Sequence, residues 1–312
     1  MVFEQVVERL KYLLDGSVAS SSRAVYSRAW RLYLESVKIL RSVITLEGIF
    51  PLKVNEILFY IGYLSWRGFA ASTITTYVSA IGYIHRIKGV FNPASSFLIQ
   101  KVLASVNKTN PTQDTRLPIT LIILQQLSQS LPQILSNHYH VILLRAMFLI
   151  AFFGLMRIGE ITFSSSKKSD TIQLNQISIS KDHLIIKIRH FKHNISLRPF
   201  EIVVKRQTDP NICPLLHMSY YLQLRGFKPG SLFQFQDGGM VNRNFFTSRL
   251  KGCLNFIGLD STFYQAHSFR IGGASYLASV GMSDAKIRMI GRWKSDAFKR
   301  YIRCQRILSS GH

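Results

Sequence analysis

Apolar positions recur three and four residues apart over most of the chain, and that spacing predicts helices. The opening stretch MVFEQVVERLKYLLDG is amphipathic and charged, which reads as a surface helix and not as a signal peptide. The same spacing continues in SRAVYSRAWRLYLESVKIL, VNEILFYIGYLSW, STITTYVSAIGYIHRI and SFLIQKVLASV. Turn-prone breaks separate them: EGIFP, RGFAAS and KGVFNPASS. Ser72 or Thr73 is placed to cap the third of these helices. Residues 1–106 show no strand alternation and read as one helical domain. Residues 107–120, NKTNPTQDTRLPIT, are polar, hold two prolines and lack a period, so they read as a linker.

Helical spacing resumes in LIILQQLSQSL and over 139–156, within a second domain spanning 121–312. The most apolar run, VILLRAMFLIAFFGLM (141–156), is short for a membrane span and is interrupted by Arg145. A buried helix is the reading. Three stretches then turn β-rich: 172–179, 183–190 and 199–204. Lys181-Asp182 reads as a tight turn and FKHNIS (191–196) as a looser one. Beyond residue 212 the chain reads as helical to its end. The expected fold is mainly α with a small three-stranded antiparallel sheet, in two domains.

Charge adds a partner. Lys and Arg total 39 against 16 Asp and Glu, a formal net charge of +23. Residues 1–110 carry 13 basic and 6 acidic side chains, and 111–312 carry 26 and 10. Excess positive charge speaks to partners and not to fold. Two basic domains suit a grip on one polyanion, and double-stranded DNA is the leading candidate because each neutralised phosphate releases counterions. A membrane surface is the rival, but no span or lipidation signal is present. Cys213, Cys253 and Cys304 are far apart without CxxC spacing, which points to a reducing compartment with no disulfide framework and no zinc site. No cofactor or metal is expected.

Three segments carry candidate chemistry. AFFGLMRIGEI ends an apolar helix on Arg157, with Glu160 three residues on. An arginine at the edge of a core is costly unless a carboxylate or phosphate satisfies it; the plain alternative is that Arg157 pairs with Glu160 or caps a helix. In AHSFRIGGAS, His267 and Arg270 are one helical turn apart on one face. Taken singly they read as a core histidine and an ion pair at a helix start. Gly272, Gly273, Ala274 and Ser275 predict close approach of another backbone or of a ligand. In GMSDAKIRMIGRWKSDAFKRYIRCQRIL, Ser283 is placed as an N-cap, Gly291 as a helix stop, and a second short helix starts near Ser295 or Asp296. Residues 286–306 hold eight Lys and Arg and one acid, Asp296. Phe298 and Ile302 give this segment an apolar face with Tyr301 beside it. Singly, Trp293 and Tyr301 read as packing residues.

Together they do not. The order Arg157, His267, Arg270, Trp293, Tyr301 resembles the tyrosine recombinase (phage integrase) family. GLMRIGEI looks like its first-arginine motif, HSFR like its His-x-x-Arg box, and GRWKSDAFKRYIR like the segment that ends on the nucleophile. The wording is closest to the eukaryotic recombinases of DIRS-type retrotransposons and Cryptons. The resemblance implies a two-domain DNA clamp in which residues 1–106 form the core-binding domain. It implies strand cleavage and rejoining through a 3′-phosphotyrosyl intermediate, with Tyr301 as nucleophile and Arg157 and Arg270 on the phosphate. His267 would be an acid/base or phosphate donor, Trp293 would pack on the site, and Glu160 would orient Arg157. The family's lysine lies on the turn between the second and third strands, which selects Lys192; Lys187 is the fallback and Lys181 lies on the wrong turn. Assembly as a tetramer on DNA, exchange of a C-terminal segment (here at most RCQRILSS) and a nuclear location follow from the same resemblance. Trp293 and Tyr301 are eight residues apart, one fewer than in most bacterial members. A type IB topoisomerase-like enzyme and an inactive DNA-binding derivative are the alternatives.

Overall fold

A computed structural model describes residues 2–42, 50–111, 114–163, 171–189 and 198–302. The chain divides into two compact units between Asp114 and Thr115.

The first unit is all helix: α1 (Val2–Gly16), α2 (Ser20–Arg41), α3 (Val54–Trp66), α4 (Ala71–Ile87) and α5 (Phe97–Thr109). Its core is built from the periodic apolar positions, among them Leu32, Tyr33, Ile57, Tyr60, Ile61, Ile74, Val78, Ile81 and Ile99. α5 starts where Ser96 accepts a hydrogen bond from Ile99 N. Neither Ser72 nor Thr73 caps α4. The N-cap is Ala70, without a side-chain bond, because the fully buried Ala71 anchors the helix at least two residues earlier than the hydroxyls suggest. α5 also runs three residues into the stretch read as linker.

The second unit wraps helices around α7. In order it holds α6 (Leu121–Ile134), α7 (His138–Phe153), α8 (Ile158–Ile161), β1 (Ile177–Ile179), β2 (His183–Ile188) and β3 (Phe200–Lys205). Then follow α9 (Pro214–Arg225), α10 (Arg243–Phe256), α11 (Ala266–Ser279), α12 (Asp284–Ile290) and a 3-10 segment over Asp296–Tyr301. The sheet is antiparallel in the order β1-β2-β3, with Ile177 and Ile202 both facing Ile186. The inward row of Leu184, Ile186, Ile188, Ile202 and Val204 seals it onto the helical core. α7 is buried nearly all round, and its one charged side chain, Arg145, donates to the Ser128 carbonyl at 2.8 Å. Among the described residues no helix is long and apolar enough to cross a membrane.

Several expectations are corrected. Residues 172–176 do not extend β1: Gln173 forms an isolated antiparallel bridge with Ser231, and its N–H donates to Gln176 Oε1 at 2.7 Å at the start of a 3-10 turn over Leu174–Gln176. α7 ends at Phe153 and not on Arg157. The chain is not helical throughout after residue 212. α9 stops at Gly226 (φ 75°), and the loop that follows is held by Arg225, which donates to the carbonyls of Gly226, Lys228, Ser231 and Leu232.

Candidate active site

The end of α7 sets the site. Gly154 caps the helix, and Leu155 follows in the left-handed region at φ 46°. That conformation costs a side-chain-bearing residue about 1–2 kcal/mol, and burial of the Leu155 side chain with Ala274, Ile287 and Phe298 offsets it. The turn aims the Leu155 carbonyl at two guanidinium groups, those of Arg270 and Arg292. Arg157 then opens α8. Its backbone N–H donates to Glu160 Oε2 at 2.8 Å and its Nη1 to Glu160 Oε1 at 3.2 Å. Arg157 thus both pairs with Glu160 and caps a helix, and its side chain keeps 28 % of its surface exposed.

α11 brings the second pair. A Cβ on Gly272 would land on the Ile119 carbonyl, and one on Gly273 on the Phe152 carbonyl. The two glycines let α11 sit directly on those backbones, so the close approach expected of them is to protein. Arg270 is buried there with 1 % of its surface exposed, donating to the Leu155 and Gly291 carbonyls. Trp293 covers it, with the Arg270 guanidinium carbon 4.1 Å from the ring centroid. His267, one turn earlier, meets Tyr301 edge-on at 5.0 Å between ring centres.

The last segment closes over both. Ser283 stands at the N-cap of α12 without a side-chain bond, and Gly291 ends the helix. A Cβ at Gly291 would fall inside the Trp293 ring, so only glycine admits this placement. Trp293 stacks on Tyr301 at 5.5 Å, and Phe298 anchors the turn between them. The Tyr301 carbonyl accepts a hydrogen bond from Ser275 Oγ at 2.8 Å.

Arg157, His267, Arg270, Trp293 and Tyr301, spread over 145 positions of the sequence, therefore meet in one place. The lysine is another matter. Lys192 lies outside the described residues. Lys187 is half exposed and pairs with Glu201 at 3.3 Å. Lys181 sits in the β1–β2 turn.

Two features were missed from sequence. Arg292 is buried, lies at φ 54° and donates to Glu160 Oε2 at 2.7 Å. Arg243 and Lys251, with Thr247 between them, share one face of α10 and line a cleft of about 400 Å³ beside His267. The i, i+4, i+8 spacing of that face was there to be read.

The electrostatics of the cluster are one-sided. Among the described residues, Arg157 and Arg292 share one carboxylate, Glu160, whose charge also acts on Arg270. Burial, then the neighbouring charges of Arg157 and Arg292, push the Arg270 guanidinium well below its ordinary value. Burial lowers Arg292 to about 10 against the pull of Glu160. Such a set is short of negative charge, and an anion with several oxygens would complete it. Among the described residues no group of three or more His, Cys, Asp or Glu is arranged to hold a metal ion.

No family model and no curated protein matches the chain. Solved structures do. The XerH site-specific recombinase bound to palindromic difH substrate superposes with a TM-score of 0.63 at 15 % identity, over 88 % of this chain and 75 % of that one. A lambda integrase (75–356) dimer bound to a COC′ core site gives 0.58 at 13 %, over 97 % and 96 %. The Tn1549 transposon integrase in complex with transposon right end DNA gives 0.58 at 14 %, over 93 % and 90 %. At these identities the likeness is one of fold: the chain has the two-domain fold of tyrosine recombinases.

Proposed function

We propose that this protein is a site-specific DNA recombinase that cuts and rejoins strands through a tyrosine. The observation that carries the reading is the anion-deficient arginine cluster with Tyr301 stacked against its cover, on a fold shared with proteins solved on DNA. Tyr301 Oη attacks a phosphodiester phosphorus and gives up its proton. The bond to the 5′ oxygen breaks, and a 3′-phosphotyrosyl link forms. Arg157 and Arg270 take the non-bridging oxygens, whose charge grows at the pentacoordinate stage. The 5′ oxygen leaves with a proton from Lys192, and His267 donates to the phosphate or takes the tyrosine proton. Because a phenoxide leaves more readily than an alkoxide, the 5′ hydroxyl of a new strand reverses the step without added energy.

Arg270 is covered by Trp293 in this conformation. Phosphate contact therefore requires the Trp293 ring to turn off the guanidinium while the Arg292 backbone stays in place, and DNA binding supplies the anion that replaces the ring. Assembly as a tetramer, service to a mobile element and a nuclear location belong to the same proposal; the last two rest on the wording of residues 267–301.

Covalent trapping tests the reading. The protein and a Tyr301→Phe control are mixed in EDTA with nicked duplexes of randomised sequence, and SDS-resistant adducts are isolated and sequenced. Tyr301-dependent adducts with a two-armed consensus are expected. Adducts without a consensus would replace the recombinase by a topoisomerase-like enzyme. Absence of adducts alongside tight DNA binding would overturn the enzyme reading.

A further inference from the structure

We propose that Arg292 is a positioning residue that fixes Arg157 through the carboxylate of Glu160 and ties it to the turn carrying Trp293. The proposal rests on the recombinase reading for its consequence in catalysis, while its geometry stands on its own. Arg292 Nη2 donates to Glu160 Oε2 at 2.7 Å, the oxygen that also accepts from Arg157 N. The other oxygen, Oε1, accepts from Arg157 Nη1. One carboxylate is therefore held from both sides by two guanidinium groups. The link is doubled in the backbone, because Arg157 Nη2 donates to the Arg292 carbonyl at 3.1 Å. Arg292 is further tied to the Leu155 carbonyl at 3.3 Å and the Ile290 carbonyl at 3.2 Å.

Two alternatives fail on the same observations. Arg292 is not itself a phosphate ligand, since its Nη2 is paired with the Glu160 carboxylate, whereas Arg270 donates only to the neutral Leu155 and Gly291 carbonyls and keeps its charge for an anion. It is not a generic surface ion pair either, since both partners are buried and lie 132 positions apart. What the pair does is lock the α7–α8 turn to the turn after α12. Arg157, the more exposed partner of Glu160, is then the one guanidinium of the three with surface left to offer. Without Arg292 the carboxylate is free to swing and take Arg157 with it. A misplacement of about 1 Å costs roughly 100-fold in rate.

The test uses the full-length chain with Arg292→Met, Arg292→Lys, Glu160→Gln and Arg157→Lys. The first readout needs no activity: the order parameter of the Arg157 Nε–H group by nitrogen-15 NMR. Expected is a rigid Arg157 in the wild type and a mobile one in Arg292→Met and Glu160→Gln. The second is the rate of Tyr301 adduct formation on the nicked duplex pool. Expected is a loss of about 10- to 100-fold in Arg292→Met with DNA affinity within about twofold. Recovery to within about tenfold is expected in Arg292→Lys, which keeps the charge on Glu160. In an Arg157→Lys background Arg292→Met should cost less than about threefold, because the two act as a unit. Additive losses, a lysine no better than methionine, or an Arg157 that stays rigid in folded Arg292→Met would overturn the proposal. If Arg292→Met does not fold, Glu160→Gln decides by the same readouts. If the wild type forms no adduct, the recombinase reading fails while the NMR arm still settles the positioning.

Discussion

Replacing Arg270 by alanine separates catalysis from stability in a way the structure makes calculable. The guanidinium donates to the Leu155 and Gly291 carbonyls and lies under Trp293. After truncation the Leu155 carbonyl keeps Arg292 Nη2, so the Gly291 carbonyl bears the loss, at about 1–3 kcal/mol for one unsatisfied buried group. Forfeiting the cation–π contact adds about 2 kcal/mol at a desolvated site. Against this, a buried cation crowded by Arg157 and Arg292 disappears, which stabilises. The net cost is about 1–3 kcal/mol, a shift of roughly 2–12 °C in melting temperature for a unit of this size. Even a fold worth only about 5 kcal/mol stays more than nine-tenths folded. Catalysis has no such offset: one lost donor to a developing oxyanion costs about 2.7–4 kcal/mol, or 100- to 1000-fold. The assay is adduct formation per folded molecule at 25 °C, with the folded fraction taken from circular dichroism on the same sample. A variant that cuts within tenfold of wild type would refute Arg270's place on the phosphate. One that loses activity only in step with its folded fraction would make it purely structural.

Other consequences follow from neighbouring features. Gly272→Ala places a Cβ on the Ile119 backbone. It should cost about 2 kcal/mol or more after the gain in helix propensity, whereas Gly62→Ala, with nothing within reach, should be neutral or stabilising; thermal melts of both variants check this. Arg243→Ala and Lys251→Ala, in the cleft beside His267, should each lower the slope of log binding against log salt by about 0.9, and an unchanged slope would remove them from the DNA path. Burial and then Arg145 hold His217 below its ordinary value. Its neutral form is the one the fold prefers, so the stability it contributes is present above pH 6.5 and lost as pH falls. Melting temperature should drop between pH 7.5 and 5.5, and less so in His217→Gln.

Local signals were legible in the chain, and signals that depend on distant partners were not. Every helix predicted from apolar spacing in residues 1–106 is present; in α2 to α5 that spacing is the buried face, while α1 keeps its apolar positions exposed. The strands were over-read at 172–176, where the backbone pairs with the distant Ser231 in an isolated bridge and a glutamine side chain closes the turn that follows. The loop after Gly226 reads as helix until one sees Arg225 holding four carbonyls. Glu160 was legible because it sits three residues from Arg157. Arg292 was not, because its carboxylate lies on the far side of the sheet in sequence, and a GRW tripeptide draws the eye to the tryptophan.

The same contrast explains why a histidine and an arginine should be followed by two glycines. Spacing alone puts His267 and Arg270 on one face, but a face is not yet a site. The glycines remove the two Cβ atoms that would hold α11 off Ile119 and Phe152. Only at that depth does Arg270 reach the carbonyls of Leu155 and Gly291. Those carbonyls belong to the turns that carry Arg157 on one side and Trp293 on the other, so the arginine that would bind phosphate also staples together the two segments that must close around it. Ser275 completes the series by holding the Tyr301 carbonyl. A substitution at Gly272 or Gly273 would therefore act on chemistry through distance. It should slow cleavage by more than its effect on melting accounts for, and a variant that loses stability yet cuts at the wild-type rate per folded molecule would show that the depth of α11 is not what places Arg270.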